Sequence, residues 1–329
     1  NYDPYSKYPV KKVKPDIQLS PRLGISHPIT ENSKLFFNYG HFKQLPTYEE
    51  MFRLSRGISR QMDVFGDPSL ALAKTISYEL GFDHSLFDTY LIQAAAFYHD
   101  ITDQYATTTY ISADKSMIYT AANNDSYEDV RGFELTLRKV RGRWWTGFAN
   151  YTYRVSTSGY FGTRTIYEDP SEQRKYNLTT EEYKQYKPVP QPYARVNLSF
   201  FAPQNFGPKV FGVNPFSGFQ VSLLGEWASG WWGTWNSRNL PGIANNVHYK
   251  DWLDFTLQIN KRFSFKNMDL TFFVEIDNLL NTRHLNLNSF MDSQDEKFYF
   301  ESLHLPKSDA YNNIPGNDRP GDYLSLIHI

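Results

Sequence analysis

Residues 228–237 read ASGWWGTWNS and hold three tryptophans close together, Trp231, Trp232 and Trp235. Large, rigid aromatic rings bind flat ligands at a low entropic cost, so this segment is a candidate stacking surface for a sugar or a flat chelate. Alternatively, the three tryptophans belong to an interfacial girdle at the end of a membrane strand, directly after Trp227, because indole rings favour the membrane–water boundary. The sequence leaves both interpretations open.

No enzyme motif stands out in the chain. It contains neither a G-x-S-x-G elbow nor an H-E-x-x-H pair, and its 8 histidines show no metal-ligand spacing. The absence of cysteine excludes disulfides, thiolate metal sites and a cysteine nucleophile. We therefore predict that the chain is not an enzyme and holds neither a metal nor a cofactor.

About ten stretches of the chain alternate apolar and polar residues, and the clearest two are 253–260 and 270–277. Successive side chains of a strand point to opposite faces, so each stretch has one apolar and one polar face. Such repetition, with aromatic residues at the strand ends, is typical of an outer-membrane β-barrel. We predict that the apolar face meets lipid at Leu253, Phe255, Leu257, Ile259, Leu270, Phe272, Val274 and Ile276.

The polar faces of these stretches carry charges of both signs. A wall with such charges implies a wide interior that holds water or a polar plug, and not a packed apolar core. The carboxylates could be mistaken for an acid–base set, but the period of two explains each of them as a wall residue. We predict a lumen-facing position for Glu79, Glu134, Arg195, Asp254, Glu275 and Asp277.

Charge and hydropathy narrow the class of protein. The 34 basic and 35 acidic residues give a net charge of -1, which argues against a nucleic-acid partner. The mean hydropathy is -0.56. No uninterrupted apolar run approaches the ~18 residues of a spanning helix, so a helical membrane protein is excluded. Aromatic residues make up 17% of the chain, which suits a protein with two membrane boundaries.

The alternating stretches pair into five predicted hairpins: 20–29 with 34–42, 76–83 with 90–99, 130–139 with 144–153, 193–201 with 219–227, and 252–263 with 268–279. The segments between them are rich in Asn, Asp, Ser, Tyr and Pro, which favour turns and loops. We predict long loops at 43–75, 100–129, 154–192 and 228–251. Short turns that alternate with long loops are characteristic of an up-and-down barrel.

Four segments resemble the barrel of TonB-dependent outer-membrane receptors. They are SPRLGISHPITENSKLFFNYGHFKQLPTYEEMF (20–52), GDPSLALAKTISYELGFDH (66–84), VRGFELTLRK (130–139) and FFVEIDNLLNTRHLN (272–286). The second departs from the family pattern at Ala71 and Ala73, and the fourth has Leu280 where Phe is common. The four segments stand in the family's order and cover most of the chain.

The resemblance implies an all-β fold, an up-and-down antiparallel transmembrane β-barrel with long extracellular loops. This chain would supply about ten strands of a larger, roughly 22-stranded barrel. Residues 1–329 would then be a partial barrel domain, because neither a plug domain nor a TonB box is found in the sequence. Residues 324–329 are off-pattern, and we expect a truncation or a foreign tail there.

The resemblance also implies a function and a place. The chain would belong to the outer membrane of a Gram-negative bacterium and serve TonB-energised uptake of a scarce ligand: a siderophore, cobalamin, an oligosaccharide or a peptide. Its partners would be the lipid bilayer, its own plug domain, TonB and the small ligand. The alternatives are a passive porin or adhesin-like barrel without a plug, and an outer-membrane hydrolase.

Overall fold

The computed structural model describes residues 17–57, 62–179, 188–203, 206–209, 214–238, 240, 243–265, 268–285, 290–305, 316 and 318–321. The strands are β1 Arg22–Thr30, β2 Ser33–Gln44, β3 Leu54–Arg56, β4 Met62–Phe65, β5 Ala73–Leu86, β6 Tyr90–Ile111, β7 Ile118–Lys139, β8 Trp145–Tyr160, β9 Thr165–Tyr167, β10 Val189–Pro190, β11 Tyr193–Phe201, β12 Phe219–Ala228, β13 Trp232–Gly233, β14 Val247–His248, β15 Trp252–Phe265 and β16 Met268–Ile276. The helices are α1 Tyr48–Phe52, α2 Pro170–Thr179 and α3 Ser293–Ser302. The tail expected at 324–329 lies outside the described residues.

One 14-stranded sheet dominates the molecule, and β13 and β14 form a second, two-stranded sheet. The main path of the large sheet follows chain order through β1, β2, β5, β6, β7, β8, β11, β12, β15 and β16. Each strand on this path is antiparallel to the next. The predicted all-β, up-and-down antiparallel architecture is thus confirmed. The sheet is not closed, and every residue of its two edge strands, β1 and β16, is exposed.

All five predicted hairpins are present. The predicted loop at 100–129 is wrong, because its residues extend β6 and β7 into a further hairpin. β6 runs on to Ile111 and β7 starts at Ile118. Thr and Tyr in this extension favour the pleated conformation. The Asp and Asn residues that suggested a loop instead mark irregularities in the pairing, such as Asp103 with a φ of 57°.

The other predicted loops contain short elements of their own. β4 pairs in parallel with β7, and β9 pairs in parallel with β6, so both widen the extension of the β6–β7 hairpin. Helix α1 begins at a capping box in which Thr47 accepts from the Glu50 amide and Glu50 accepts from the Thr47 amide. These segments therefore contain regular structure, and their strands β4 and β9 add to the sheet beside β7 and β6.

Short and long connections leave opposite ends of the sheet. The turns at 31–32, 87–89 and 140–144 join β1 to β2, β5 to β6 and β7 to β8 at one end, which we call the turn end. The long segments that follow β2, β8, β12 and β16 leave the other end, which we call the loop end. Antiparallel order imposes this division, because every second connection returns to the same end.

Two glycines lie beneath aromatic rings of neighbouring strands. Gly81 lies opposite Phe36, and the ring of Phe36 occupies the place where a β-carbon on Gly81 would stand. At Gly132 a β-carbon would overlap the backbone carbonyl of Tyr153 and lie 2.8 Å from the ring of Phe97. The obstacle is a movable side chain in the first case and fixed backbone in the second.

We expect Gly132→Ala to destabilise the sheet more than Gly81→Ala. Overpacking costs about 1–3 kcal/mol, and the higher part of that range applies where backbone must shift. The measurement is urea unfolding of the full-length protein that contains this chain, folded into lipid vesicles. Phe36→Leu should relieve the cost of Gly81→Ala and leave that of Gly132→Ala unchanged. Equal losses in the two glycine variants would contradict this account.

Candidate ligand-binding site at the loop end

The pairing register brings the apolar residues predicted to face lipid onto a single face, which we call the apolar face. Leu257 and Ile259 of β15 lie opposite Ile276 and Val274 of β16. Because side chains alternate along each strand, the rest of the set belongs to the same face: Leu253, Phe255, Leu270 and Phe272.

Lys261 is one of the charged residues on the apolar face, and the sequence pattern did not single it out. Lys261 pairs opposite Phe272 and is buried. Its ammonium lies 4.7 Å from the centre of the Phe219 ring and 5.0 Å from that of Phe263, and it donates to the carbonyl of Ser217. Lys261 thus directs its charge toward the turn end, as long cationic side chains do at a membrane boundary.

The charged residues predicted to line a lumen share the opposite face, which we call the polar face: Glu79, Glu134, Arg195, Asp254, Glu275 and Asp277. Cross-strand hydrogen bonds hold them. Glu79 accepts from the amide of Asn38 at 3.0 Å, and Glu134 accepts from the hydroxyl of Thr152 at 3.2 Å. In both pairs the donor lies directly opposite on the adjacent strand.

The last two strands repeat this arrangement. Glu275 accepts from Gln258 at 2.7 Å, and Asp277 accepts from Thr256 at 3.1 Å. The carboxylates are therefore spread across the wall and do not gather into one acid–base centre. Among the described residues, no group of three or more His, Asp or Glu side chains is placed to hold a metal ion.

A longer polar row crosses eight adjacent strands of the sheet. Its strongest links are Lys34 to Asp83 at 3.1 Å, Gln93 to Asp83 at 3.0 Å, and Arg195 to Glu226 at 3.2 Å. In order, the row contains Lys34, Asp83, Gln93, Thr136, Asn150, Arg195, Glu226 and Asp254. It ends beside the tryptophan-rich segment.

A row of aromatic rings marks the apolar face toward the loop end. Tyr39, Tyr78 and Tyr98 lie opposite one another on β2, β5 and β6. Their ring centres are 5.2 Å apart for the first pair and 6.3 Å for the second. Tyr151 and Trp227 stack at 6.5 Å on the same face farther along the sheet. These rings have the position and chemistry of an interfacial girdle.

The three tryptophans of the candidate stacking surface stack on three different partners. Trp231 stacks on Tyr249 at 4.0 Å, and Trp232 stacks on His248 at 4.6 Å. Trp235 stacks on Phe300 of α3 at 4.6 Å. The three rings thus have different partners, and Trp231 remains 47% exposed.

Trp235 packs against a small core that we call the loop cluster: Val247, Tyr249, Phe300, Leu303 and Leu305. Leu303 and Leu305 are completely buried there, with 0% and 1% exposure. Burial raises the pKa of the Tyr249 hydroxyl far above its ordinary value, with a smaller contribution from nearby Glu296. The loop cluster joins the segment between β12 and β15 to the segment after β16.

A cavity of about 370 Å³ lies at the loop end of β8, β11, β12 and β15. Its lining includes Arg154, Tyr193, Arg195, Glu226, Trp231 and Trp252. Arg195 is paired with Glu226, whereas the guanidinium of Arg154 donates to the neutral amide of Gln191. Among the described residues no carboxylate lies within ion-pair distance of Arg154. The cavity thus combines exposed indole rings with the charge of Arg154, which has no acidic partner in the part of the chain that the structure describes.

The sequence analysis missed two members of this cavity. Arg154 continues the alternation of β8 one position past its predicted end. Trp252 opens β15, stacks on His284 at 3.8 Å and is 47% exposed. A stricter continuation of the period of two would have placed Arg154 on the polar face. Nothing local in the sequence indicates that Trp252 lines the same cavity as Trp231, since a long loop separates the two residues.

The sequence matches the family described as TonB dependent receptor-like, beta-barrel, over residues 1–279. No curated protein sequence matches the chain. None of the helices in the described part of the chain has the length and apolar character needed to span a membrane.

Solved structures with a similar fold include three transporters. The outer membrane transporter YddB from Escherichia coli has a TM-score of 0.55 at 13% identity, over 80% of this chain and 37% of its own. The FrpB iron transporter from Neisseria meningitidis has a TM-score of 0.49 at 15% identity, over 81% and 35%. The copper transporter OprC has a TM-score of 0.47 at 15% identity, over 80% and 33%. At these identities the likeness concerns the fold alone, and this chain spans about a third of their length.

The match to a receptor family confirms the prediction that the chain is not an enzyme. The matched region includes the whole path from β1 to β16, with its antiparallel order, its two distinct faces and its long connections at one end. The chain therefore belongs to the family of TonB-dependent receptor β-barrels.

Proposed function

We propose that this chain is part of the wall of an outer-membrane receptor that takes up a scarce ligand in a Gram-negative bacterium. The apolar face would meet lipid, and the polar face would line a lumen. The observation that carries this proposal is that cross-strand pairing gathers most apolar residues of the main path on one face and most of its charged residues on the other. A wall of this kind satisfies its backbone within the sheet and presents each face to a matching medium.

The two open edges of the sheet support a larger assembly. Strands β1 and β16 are not paired with each other, and unpaired backbone groups in hydrocarbon cost several kcal/mol each. Further strands of a roughly 22-stranded barrel would satisfy these edges. We propose that residues 1–329 are a partial barrel domain and that the plug and the TonB-binding segment belong to other parts of the receptor.

Ligand capture would take place at the loop end, in the cavity between Arg154, Trp231 and Trp252. Exposed indole rings offer stacking area, and a guanidinium without an acidic partner offers two parallel hydrogen bonds to an anion. The plug would close the lumen against the cross-strand ladders of the polar face. Energy delivered through TonB would then move the plug. A siderophore, cobalamin, an oligosaccharide and a peptide all remain candidate ligands.

Leu257→Arg should destabilise the folded protein in lipid, lowering its free energy of unfolding by about 2–4 kcal/mol, because Leu257 lies midway along the apolar face of β15. Its neighbour Thr256 on the polar face provides the matched control, and Thr256→Arg should cost far less. Equilibrium folding of the receptor that contains this chain into phosphatidylcholine vesicles measures both. Equal costs would refute the assignment of the two faces.

Trp231→Ala should weaken ligand capture by on the order of 1 kcal/mol, because it removes one exposed stacking ring. Trp235→Ala should instead loosen the loop cluster, because the half-buried Trp235 ring packs against it; the loss should stay below the about 3–5 kcal/mol that removal of a fully buried aromatic ring costs. The full-length receptor is titrated with a panel of one ferric siderophore, cobalamin, one oligosaccharide and one peptide. Limited proteolysis of the same preparations reports the order of the loops.

The two readouts separate a binding role from a structural one. Correctly inserted Trp231→Ala protein should resist protease as the parent does and bind the active panel member more weakly. Arg154→Gln should weaken binding further if that ligand is an anion. Unchanged affinity in both variants would end the proposal that this cavity captures the ligand, while the receptor assignment would still rest on the family.

A further inference from the structure

The loop end of β2 and β5 carries two lysines that face each other on the apolar face. Lys43 lies directly opposite Lys74, on the same face as Tyr39 and Tyr78. Like charges directly opposite on adjacent strands repel each other and destabilise the sheet. A pair held in this register therefore calls for an anion that neutralises it.

The protein itself supplies no such anion among the described residues. Neither Lys43 nor Lys74 has a carboxylate within ion-pair distance there. Asp100 is the acidic residue placed diagonally to Lys74, since it pairs opposite Ile76 on the next position of that face. The other nearby acid, Asp129, already contacts Arg131 at 3.3 Å. Among the described residues, the positive charge of the lysine pair is therefore not neutralised, and it lies on the apolar face of the sheet.

The distance between the lysine pair and the tyrosine row indicates which part of a lipid could contact the lysines. Lys43 lies four positions beyond Tyr39 along β2. A rise of about 3.3 Å per residue makes this about 13 Å along the strand, or about 10 Å along the normal of a bilayer for a strand tilted by roughly 40°. Tyrosine rings settle at the level where acyl chains meet headgroups. Ammonium groups at this added height would therefore lie at the level of lipid phosphates.

We propose that Lys43 and Lys74 form a binding site for the phosphate of an anionic lipid headgroup. This inference rests on the proposed function, because it requires the apolar face to meet the bilayer. Two ammonium groups on adjacent strands provide up to six hydrogen-bond donors around one phosphate. The electrostatic attraction between one lysine and anionic lipid corresponds to about a fivefold preference for anionic over neutral lipid. The chains of the bound lipid would run down over the tyrosine row.

The test uses the receptor that contains this chain, folded into phosphatidylcholine vesicles with a trace of photo-crosslinkable lipid. The probe is either phosphatidylglycerol or phosphatidylcholine with the same reactive acyl chain, and mass spectrometry quantifies adducts on β2 and β5. We expect the phosphatidylglycerol probe to label these strands on the order of tenfold more than the phosphatidylcholine probe. In the variant Lys43→Gln/Lys74→Gln the ratio should fall to about one.

Lys34→Gln is the matched control, because Lys34 lies on the same strand but on the polar face, where it pairs with Asp83. This variant should keep the full preference, and Asp100→Asn should keep or increase it by removing a competing carboxylate. A ratio near one in the parent protein, or an equal fall in Lys34→Gln, would overturn the headgroup site. If neither probe labels the apolar face of β5 or β15, the lipid-facing wall itself fails, and that outcome is distinct from a loss of headgroup preference alone.

Discussion

Backbone hydrogen bonding between neighbouring strands is the constraint on which the rest of this structure depends. A wall that stands in hydrocarbon cannot leave peptide groups to water, so each strand must pair along its length with the next. Continuous pairing fixes the register, and the register decides which side chains share a face. The polar row from Lys34 to Asp254 and the tyrosine row on the other face are both products of that single constraint.

Much of the wall could be predicted because its information is local. Alternation with a period of two is visible within ten residues, so the hairpins and the two faces follow from the sequence. The extension of β6 and β7 could not be predicted in the same way. Its Asp and Asn residues resemble loop chemistry, and its strand character depends on pairing with β4 and β9 from distant parts of the chain. Tertiary context overrides propensity there.

The candidate site shows the same limit. Three tryptophans within five positions suggested one stacking surface, yet each ring stacks on a partner that is not its neighbour in the sequence. Arg154 lies before one long connection and Trp252 lies after another, and both line the cavity. A cavity of this kind is assembled by strand order and not by a sequence motif. Residues that carry ligand chemistry in such a wall are therefore found at the loop ends of strands that are adjacent in space.

The loop cluster also bears on how other molecules would recognise the loop end of this protein. It fastens the segment between β12 and β15 to α3 through Phe300 and Leu303, which are almost fully buried. In addition, the backbone amide of Lys250 donates to the carbonyl of Pro320 at 2.9 Å. The surface above this core is consequently a discontinuous epitope, composed of two stretches that are far apart in the chain. Antibodies raised against a linear peptide from either stretch would meet a different shape. An immunogen that reproduces this surface has to carry both stretches together with their shared core.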